Sequence, residues 1–195
     1  MNQENNEQME MPTSEELENE LIRVRYSERY RKLLKNTIYA LLVVAAISIL
    51  IATLFMPVLE IYGNSMSPTL DNKNIVVSVK TTELERGDIC CMYYNNHLLV
   101  KRVIGVAGDQ ILMDDAGNVY VNGVLLDEPY LTEKALGECD IEFPYTVPER
   151  TVFVLGDNRS TSVDSRNSLI GCISVDEIVG KIVLRVWPLG ELGTV

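Results

Sequence analysis

The hydrophobic pattern is dominated by a run of 20 residues without a charge, Thr37–Met56 (TIYALLVVAAISILIATLFM). At ~1.5 Å per residue, a helix of that length spans roughly 30 Å, the thickness of a bilayer's hydrocarbon core. A buried core helix is rarely so long and so uniformly apolar. The apolar part of a secretory signal is shorter, about 7–15 residues, and lies nearer the N-terminus. The expectation is a transmembrane helix over residues 37–57. Ahead of it, Glu15–Lys35 reads as helix with Ser14 as its cap. Residues 1–20 are polar, rich in Glu and Asn, and expected to be disordered.

Beyond residue 58 the pattern shortens to the period of strands. Ile75–Lys80 (IVVSVK), Asp88–Tyr94 (DICCMYY) and His97–Val106 (HLLVKRVIGV) are apolar or β-branched runs bounded by turn residues, with a turn expected at Asn95-Asn96. Val119–Val121 and Val124–Leu126 flank Asn122-Gly123, a strong hairpin signal. Thr151–Leu155 and Ile178–Trp187 complete the set, and only Asp127–Glu142 lacks a pattern. The predicted class is a mostly β, antiparallel domain over residues 58–195, carried on one membrane helix behind a cytoplasmic tail, residues 1–36.

Charge orients that helix. The chain carries a net charge of −11, distributed unevenly. Residues 1–20 hold seven Glu and no Lys or Arg, whereas residues 21–35 hold six basic residues against Glu28 alone. After the apolar run the first charge is Glu60 and the first lysine is Lys73. The positive-inside rule therefore places the N-terminus in the cytoplasm and residues from about 58 onward outside. An acidic domain without a basic face argues against nucleic-acid binding. Four cysteines (Cys90, Cys91, Cys139, Cys172) form no C-x-x-C pair, and one histidine makes a zinc site improbable. They read as buried small residues; Cys139 is the candidate for any disulfide, with no partner assigned. No metal or other cofactor is expected, and no sequence signal bears on oligomeric state.

Directly after the apolar run comes Gly63-Asn64-Ser65-Met66-Ser67-Pro68-Thr69-Leu70, a serine among small residues with Pro68 barring a regular element. A serine nucleophile needs a base. His97, the only histidine, follows a turn with no motif around it, where a solvated side chain is the default. Lys101 is the better candidate. It interrupts an apolar strand, with Leu99 and Val103 two positions away, and burial favours its neutral form. Arg102 points to the other face and reads as solvated or ion-paired. Gly156–Arg166 (GDNRSTSVDSR), after an apolar strand, is dense in hydroxyls and charges. It reads as a polar surface turn or as support for a site. In the second case, Ser162 orients the amine and an Asp164–Arg166 pair fixes the loop.

Three segments together resemble the bacterial type I signal peptidases, membrane-anchored serine proteases that remove signal peptides from exported proteins. Ser65–Thr69 is similar to the family's serine box S-M-x-P-T, Lys101–Asp109 to its lysine box, and Gly156–Arg166 to its last box, G-D-N-R-x-x-S-x-D-S-R. Arg86–Ile89 and Gly180–Pro188 add shorter matches. The resemblance implies Ser65 as nucleophile, Lys101 as general base and Ser162 as the serine hydrogen-bonded to that lysine. It implies support from Asp157, Asp164 and Arg166, and a shallow substrate pocket lined by Ile61, Met66 and Leu70. The Ser65 backbone N–H is the implied oxyanion donor. Gly63 stands where some members carry a serine hydroxyl as second donor, which leaves that donor unassigned. Ala107 replaces the usual proline of the lysine box. Residues of about 110–145 correspond to the variable, non-catalytic part. The implied partners are signal peptides of exported preproteins and the lipid bilayer of the plasma membrane, crossed once. Two rival readings are a self-cleaving Ser/Lys protease of the repressor type and a non-catalytic, membrane-tethered module that binds exported peptides. The membrane helix and acidic charge oppose the first; the retained serine, lysine and full last box oppose the second.

Overall fold

The structure, a computed structural model, describes residues 13–94 and 97–195. The start of the tail expected to be disordered and the expected turn at Asn95-Asn96 lie outside the described residues. The chain divides into two compact units between Ile51 and Ala52.

The expected tail helix and apolar run form one continuous helix, α1 (Ser14–Phe55). Nothing between Lys35 and Thr37 breaks it, because no Pro or Gly occurs there. Its 42 residues extend about 63 Å, twice the hydrocarbon core of a bilayer, and it includes a window of mean hydropathy 2.7, long and apolar enough to cross a membrane. The cap is Thr13 rather than Ser14. Thr13 Oγ1 accepts from the Glu16 N–H (3.4 Å) and Glu16 Oε2 accepts from the Thr13 N–H (2.9 Å). This is the reciprocal arrangement of a Thr-x-x-Glu sequence, which satisfies two otherwise orphaned donors.

The remainder is antiparallel β. An eight-stranded sheet runs β1 (Val58–Glu60), β2 (Ile75–Val79), β11 (Ile178–Trp187), β3 (Ile89–Tyr94), β4 (His97–Val106), β9 (Thr151–Leu155) and β10 (Ile173–Ser174), with β12 (Gly193–Thr194) also on β11. A second sheet has the order β7 (Val124–Leu125), β6 (Val119–Val121), β5 (Gln110–Met113) and β8 (Tyr145–Thr146). Asn122 and Gly123 both take positive φ, 53° and 79°, as the tight hairpin turn between β6 and β7 requires. The five strands the pattern missed, β1, β5, β8, β10 and β12, have two to four residues each, too short to display alternation.

Three apolar clusters hold these sheets. The second sheet packs on β4 and β9 through Ile104, Ile111, Val119, Phe153 and Leu155. The approach is close enough that a Cβ on Gly105 would stand 2.6 Å from the Ile111 side chain. Cys90, Met92, Val103, Val152 and Val154 form a cluster on the other face of β3, β4 and β9. Ile61, Met66, Leu70, Val76, Ile89 and Ile182 form the third, which seats the Ser65 segment. All four cysteines are free; Cys90 and Cys91 are fully buried, Cys139 and Cys172 only partly so.

One feature of the pairing shapes the site. β3 pairs with β4 from His97 to Arg102, whereas β9 pairs with it only from Arg102 to Val106. The second edge of His97–Lys101 therefore has no strand partner among the described residues. β1 is likewise an edge strand, paired among the described residues only with β2.

Candidate functional site

Residues 64–70 make a single tight turn. The Leu70 N–H bonds to the Met66 carbonyl (2.9 Å) and the Ser67 N–H to the Asn64 carbonyl (3.1 Å). The spacing of four then sorts the side chains. Met66 and Leu70 go into the core, 1% and 0% exposed, and each stabilises the seat by about 1.5–3 kcal/mol. Ser65 and Thr69 face the neighbouring loops. Gly63, at φ +86°, lets the chain turn into this segment, and its N–H is engaged by Asn72 Oδ1 (3.1 Å).

Lys101 comes to Ser65 from β4. Its Nζ donates to Ser65 Oγ at 2.9 Å. Cys90 is its cross-strand partner, and strand parity puts Lys101 on one face with Leu99 and Val103. In that apolar setting the side chain is 4% exposed. Burial is the chief cause that lowers its pKa from the ordinary 10.5; Asp164 and Asp157 pull the other way, and Arg166 assists the lowering. The same burial, reinforced by Cys91, pushes the Cys90 thiol up to about 12.

The loop after β9 closes on the pair from the other side. The Asn158 N–H donates to the Ser65 carbonyl (3.0 Å). Gly156 lies between that carbonyl and Ser162. A Cβ there would meet Ser162 Oγ at 2.2 Å and the Ser65 oxygen at 2.5 Å, so no other residue fits. Ser162 is buried beside them, but no hydrogen bond joins it to Lys101 among the described residues. Its Oγ is without a partner, while its carbonyl accepts from Arg166 Nη2 at 3.2 Å. This differs from the bond the resemblance implied. The amine of Lys101 is engaged by Ser65 instead.

Asp164 and Arg166 form the expected pair, fully buried and bidentate at 2.8 Å on both arms. Asp164 also accepts the Gly156 N–H at 2.9 Å, which links the pair to the glycine that touches Ser65. Asp157 holds the Arg102 guanidinium with two bonds, 2.9 and 2.6 Å, and accepts from Thr69 Oγ1 at 2.5 Å. Arg102 is thus an ion-paired residue, 8% exposed, and it lies 3.9 Å from the ring centre of Tyr130.

Sequence reasoning missed two members of this support. Arg159 forms a fully buried ion pair with Glu128, and its Nε donates to the Gly156 carbonyl at 3.0 Å. Arg166 Nη1 bonds to the carbonyls of Leu136 (2.6 Å) and Arg159 (2.9 Å). The patternless stretch around residues 128–136 is therefore tied to the site by three arginines. Nothing in the sequence singled out Glu128, which follows Asp127 and shares its segment with Glu133, Glu138, Asp140 and Glu142.

In front of Ser65 opens a cleft of about 330 Å³. Its walls are the two free strand edges, Leu59–Tyr62 on one side and His97–Val100 on the other, with Ser65 and Met66 at the base. Of the three residues implied for the pocket, Ile61 and Met66 line this cleft. Leu70 packs in the core cluster with them. His97 stands on the rim, exposed.

A family model described as signal peptidase, peptidase S26, matches residues 34–187. Signal peptidase I U of Bacillus subtilis is 36% identical over 177 residues, 85% of this chain and 94% of its own length. Signal peptidase IB of Staphylococcus aureus Mu50 is 35% identical over 181 residues, 83% of this chain and 93% of its own. A solved signal peptidase I from Enterococcus faecalis V583 is 30% identical and covers 51% of this chain and 96% of its own, with a TM-score of 0.42. With all three boxes inside the matched span and curated relatives aligned over more than four-fifths of its length, the chain belongs to the signal peptidase S26 family, as a bacterial type I signal peptidase.

Proposed function

We propose that the protein is a membrane-bound serine endopeptidase that cleaves N-terminal signal peptides from exported preproteins, with Ser65 as nucleophile and neutral Lys101 as general base. Family membership supports signal peptides as the substrate class. The observation that carries the dyad is the 2.9 Å hydrogen bond between Lys101 Nζ and Ser65 Oγ, made by a lysine that is 4% exposed.

The signal peptide enters as an extended strand between the free edges of β1 and β4, where unpaired backbone groups are available for hydrogen bonding. Its small residue before the scissile bond packs against Ile61 and Met66. Lys101 takes the Ser65 proton as Oγ attacks the carbonyl, and the Ser65 N–H stabilises the oxyanion. The protonated amine then passes its proton to the departing amine of the mature protein. Water, activated by Lys101, hydrolyses the ester and restores the serine. Asp157, Asp164 and Arg166 hold the Gly156–Arg166 loop against Ser65, and Ser162 fills the space behind Gly156. The helix α1 crosses the plasma membrane once, with residues 1–36 cytoplasmic and the β domain outside.

Purified protein incubated with a preprotein tests the dyad. Ser65→Ala and Lys101→Ala should each lower the cleavage rate by roughly 10⁴-fold or more, as removing one member of an obligate pair does. Near-normal cleavage by Lys101→Ala would exclude lysine as the base.

A further inference from the structure

A second cleft, of about 340 Å³, adjoins the Ser65 segment and shares no lining residue with the first. Ser67 and Pro68 form one wall, Asp157–Ser160 the base, and Thr132, Glu133 and Ala135 the far wall. It is joined to the candidate nucleophile through the main chain, because Asn158, one of its lining residues, donates its N–H to the Ser65 carbonyl (3.0 Å). The first cleft has Ser65 and Met66 at its base. The second presents hydroxyl and amide groups from Ser67, Thr132, Asn158 and Ser160.

Its charges are nearly all spent. Asp157 is held by Arg102 and Thr69, and Arg159 by Glu128. Lys134, the nearest cation in sequence, donates to Asn118 instead (3.1 Å). Glu133 is exposed and makes no ion pair among the described residues. The cleft wall thus carries one uncompensated negative charge.

We propose that this second cleft receives the residues that follow the scissile bond, and that Glu133 makes it favour a basic side chain there over an acidic one. The inference rests on the proposed peptidase function. A strand that lies along β1 and β4 and is cut at Ser65 must continue past the serine segment, and this cleft adjoins that segment at Ser67 and Pro68. Polar lining suits the start of a mature protein, which is not apolar as its signal is. An exposed ion pair contributes modestly, so the preference should be about two- to fivefold.

The test uses full-length Ser65→Ala protein in detergent micelles and peptides spanning a cleavage site, identical except for Lys or Glu within the first three downstream positions. Binding is the readout, so it does not depend on turnover. The Lys peptide should bind about two- to fivefold more tightly, and Ser65→Ala/Glu133→Lys should reverse the order. An unchanged ratio of the two dissociation constants in Glu133→Lys, or no preference in the parent, would overturn the assignment. Cleavage of the same peptides by the unsubstituted protein reports separately on the peptidase reading.

Discussion

As the proposed base, Lys101 would accept the Ser65 proton only while its amine is uncharged, and its surroundings favour that form. Leu99, Val103 and Cys90 share its face, and burial holds its pKa below the ordinary 10.5. Cleavage should therefore rise with pH as the amine deprotonates, with the midpoint of the rising limb below 10.5 in a profile of kcat/KM against pH. The same shift acts on stability with a definite sign. Between the folded and unfolded pKa values the unfolded chain binds a proton that the folded chain does not, so stability increases with pH across that window. Below it, the fold carries the cost of a buried charge. Lys101→Met should abolish cleavage and yet raise the melting temperature at neutral pH, with the gain shrinking as pH approaches 10.5. Melting curves across pH that showed Lys101→Met less stable throughout would contradict this. The position of Lys101 was legible in the sequence because a charged residue between Leu99 and Val103 breaks the strand pattern. That the Ser162 hydroxyl finds no partner among the described residues was not, because sequence spacing does not fix where a hydroxyl on a loop comes to lie.

At the scale of elements, the site is a turn held between a strand and a loop, and each contact has an identifiable cause. The turn is seated by Met66 and Leu70. The loop is held by ion pairs buried too deeply for water to replace a missing partner. Gly156 is the closest approach, and the sequence marks it only as a glycine after an apolar strand. Gly156→Ala would force a Cβ to within 2.5 Å of the Ser65 carbonyl and closer to Ser162 Oγ. It should destabilise the domain by about 1–3 kcal/mol, the usual range for overpacking, and reduce cleavage further through displacement of Ser65. Denaturant unfolding together with initial rates would separate the two; a fall in stability with full activity would show that the loop moves without the serine. The long strands were readable from their periods. The Glu128–Arg159 link was not, because residues 127–142 have no period and their placement depends on three arginines from distant segments. A local pattern cannot report a contact made 31 residues away, as this one is.

At the scale of the molecule, a continuous helix of about 63 Å carries two different environments along its length. Its last 20 or so residues are uncharged, and the preceding 15 hold six basic residues against one acid. Acidic residues contribute little to orientation, so the seven Glu of residues 1–20 do not offset that cluster. The β domain offers no comparable competitor near the helix, since its first lysine is Lys73. In the orientation proposed from this bias, residues 1–36 lie in the cytoplasm and Ser65 outside, about ten residues past the end of the apolar run, on the side where exported preproteins emerge. Spheroplasts that express the full chain with an N-terminal tag give a direct measurement. Protease added outside should remove the β domain while the tag and the apolar segment remain in an alkali-resistant membrane fraction. Replacing Arg23, Arg25, Arg29, Arg31, Lys32 and Lys35 with Gln should make orientation mixed, so that a fraction of molecules loses the tag to external protease. Complete protection of the β domain in intact spheroplasts would reverse the orientation and leave Ser65 on the wrong side for a signal-peptide substrate.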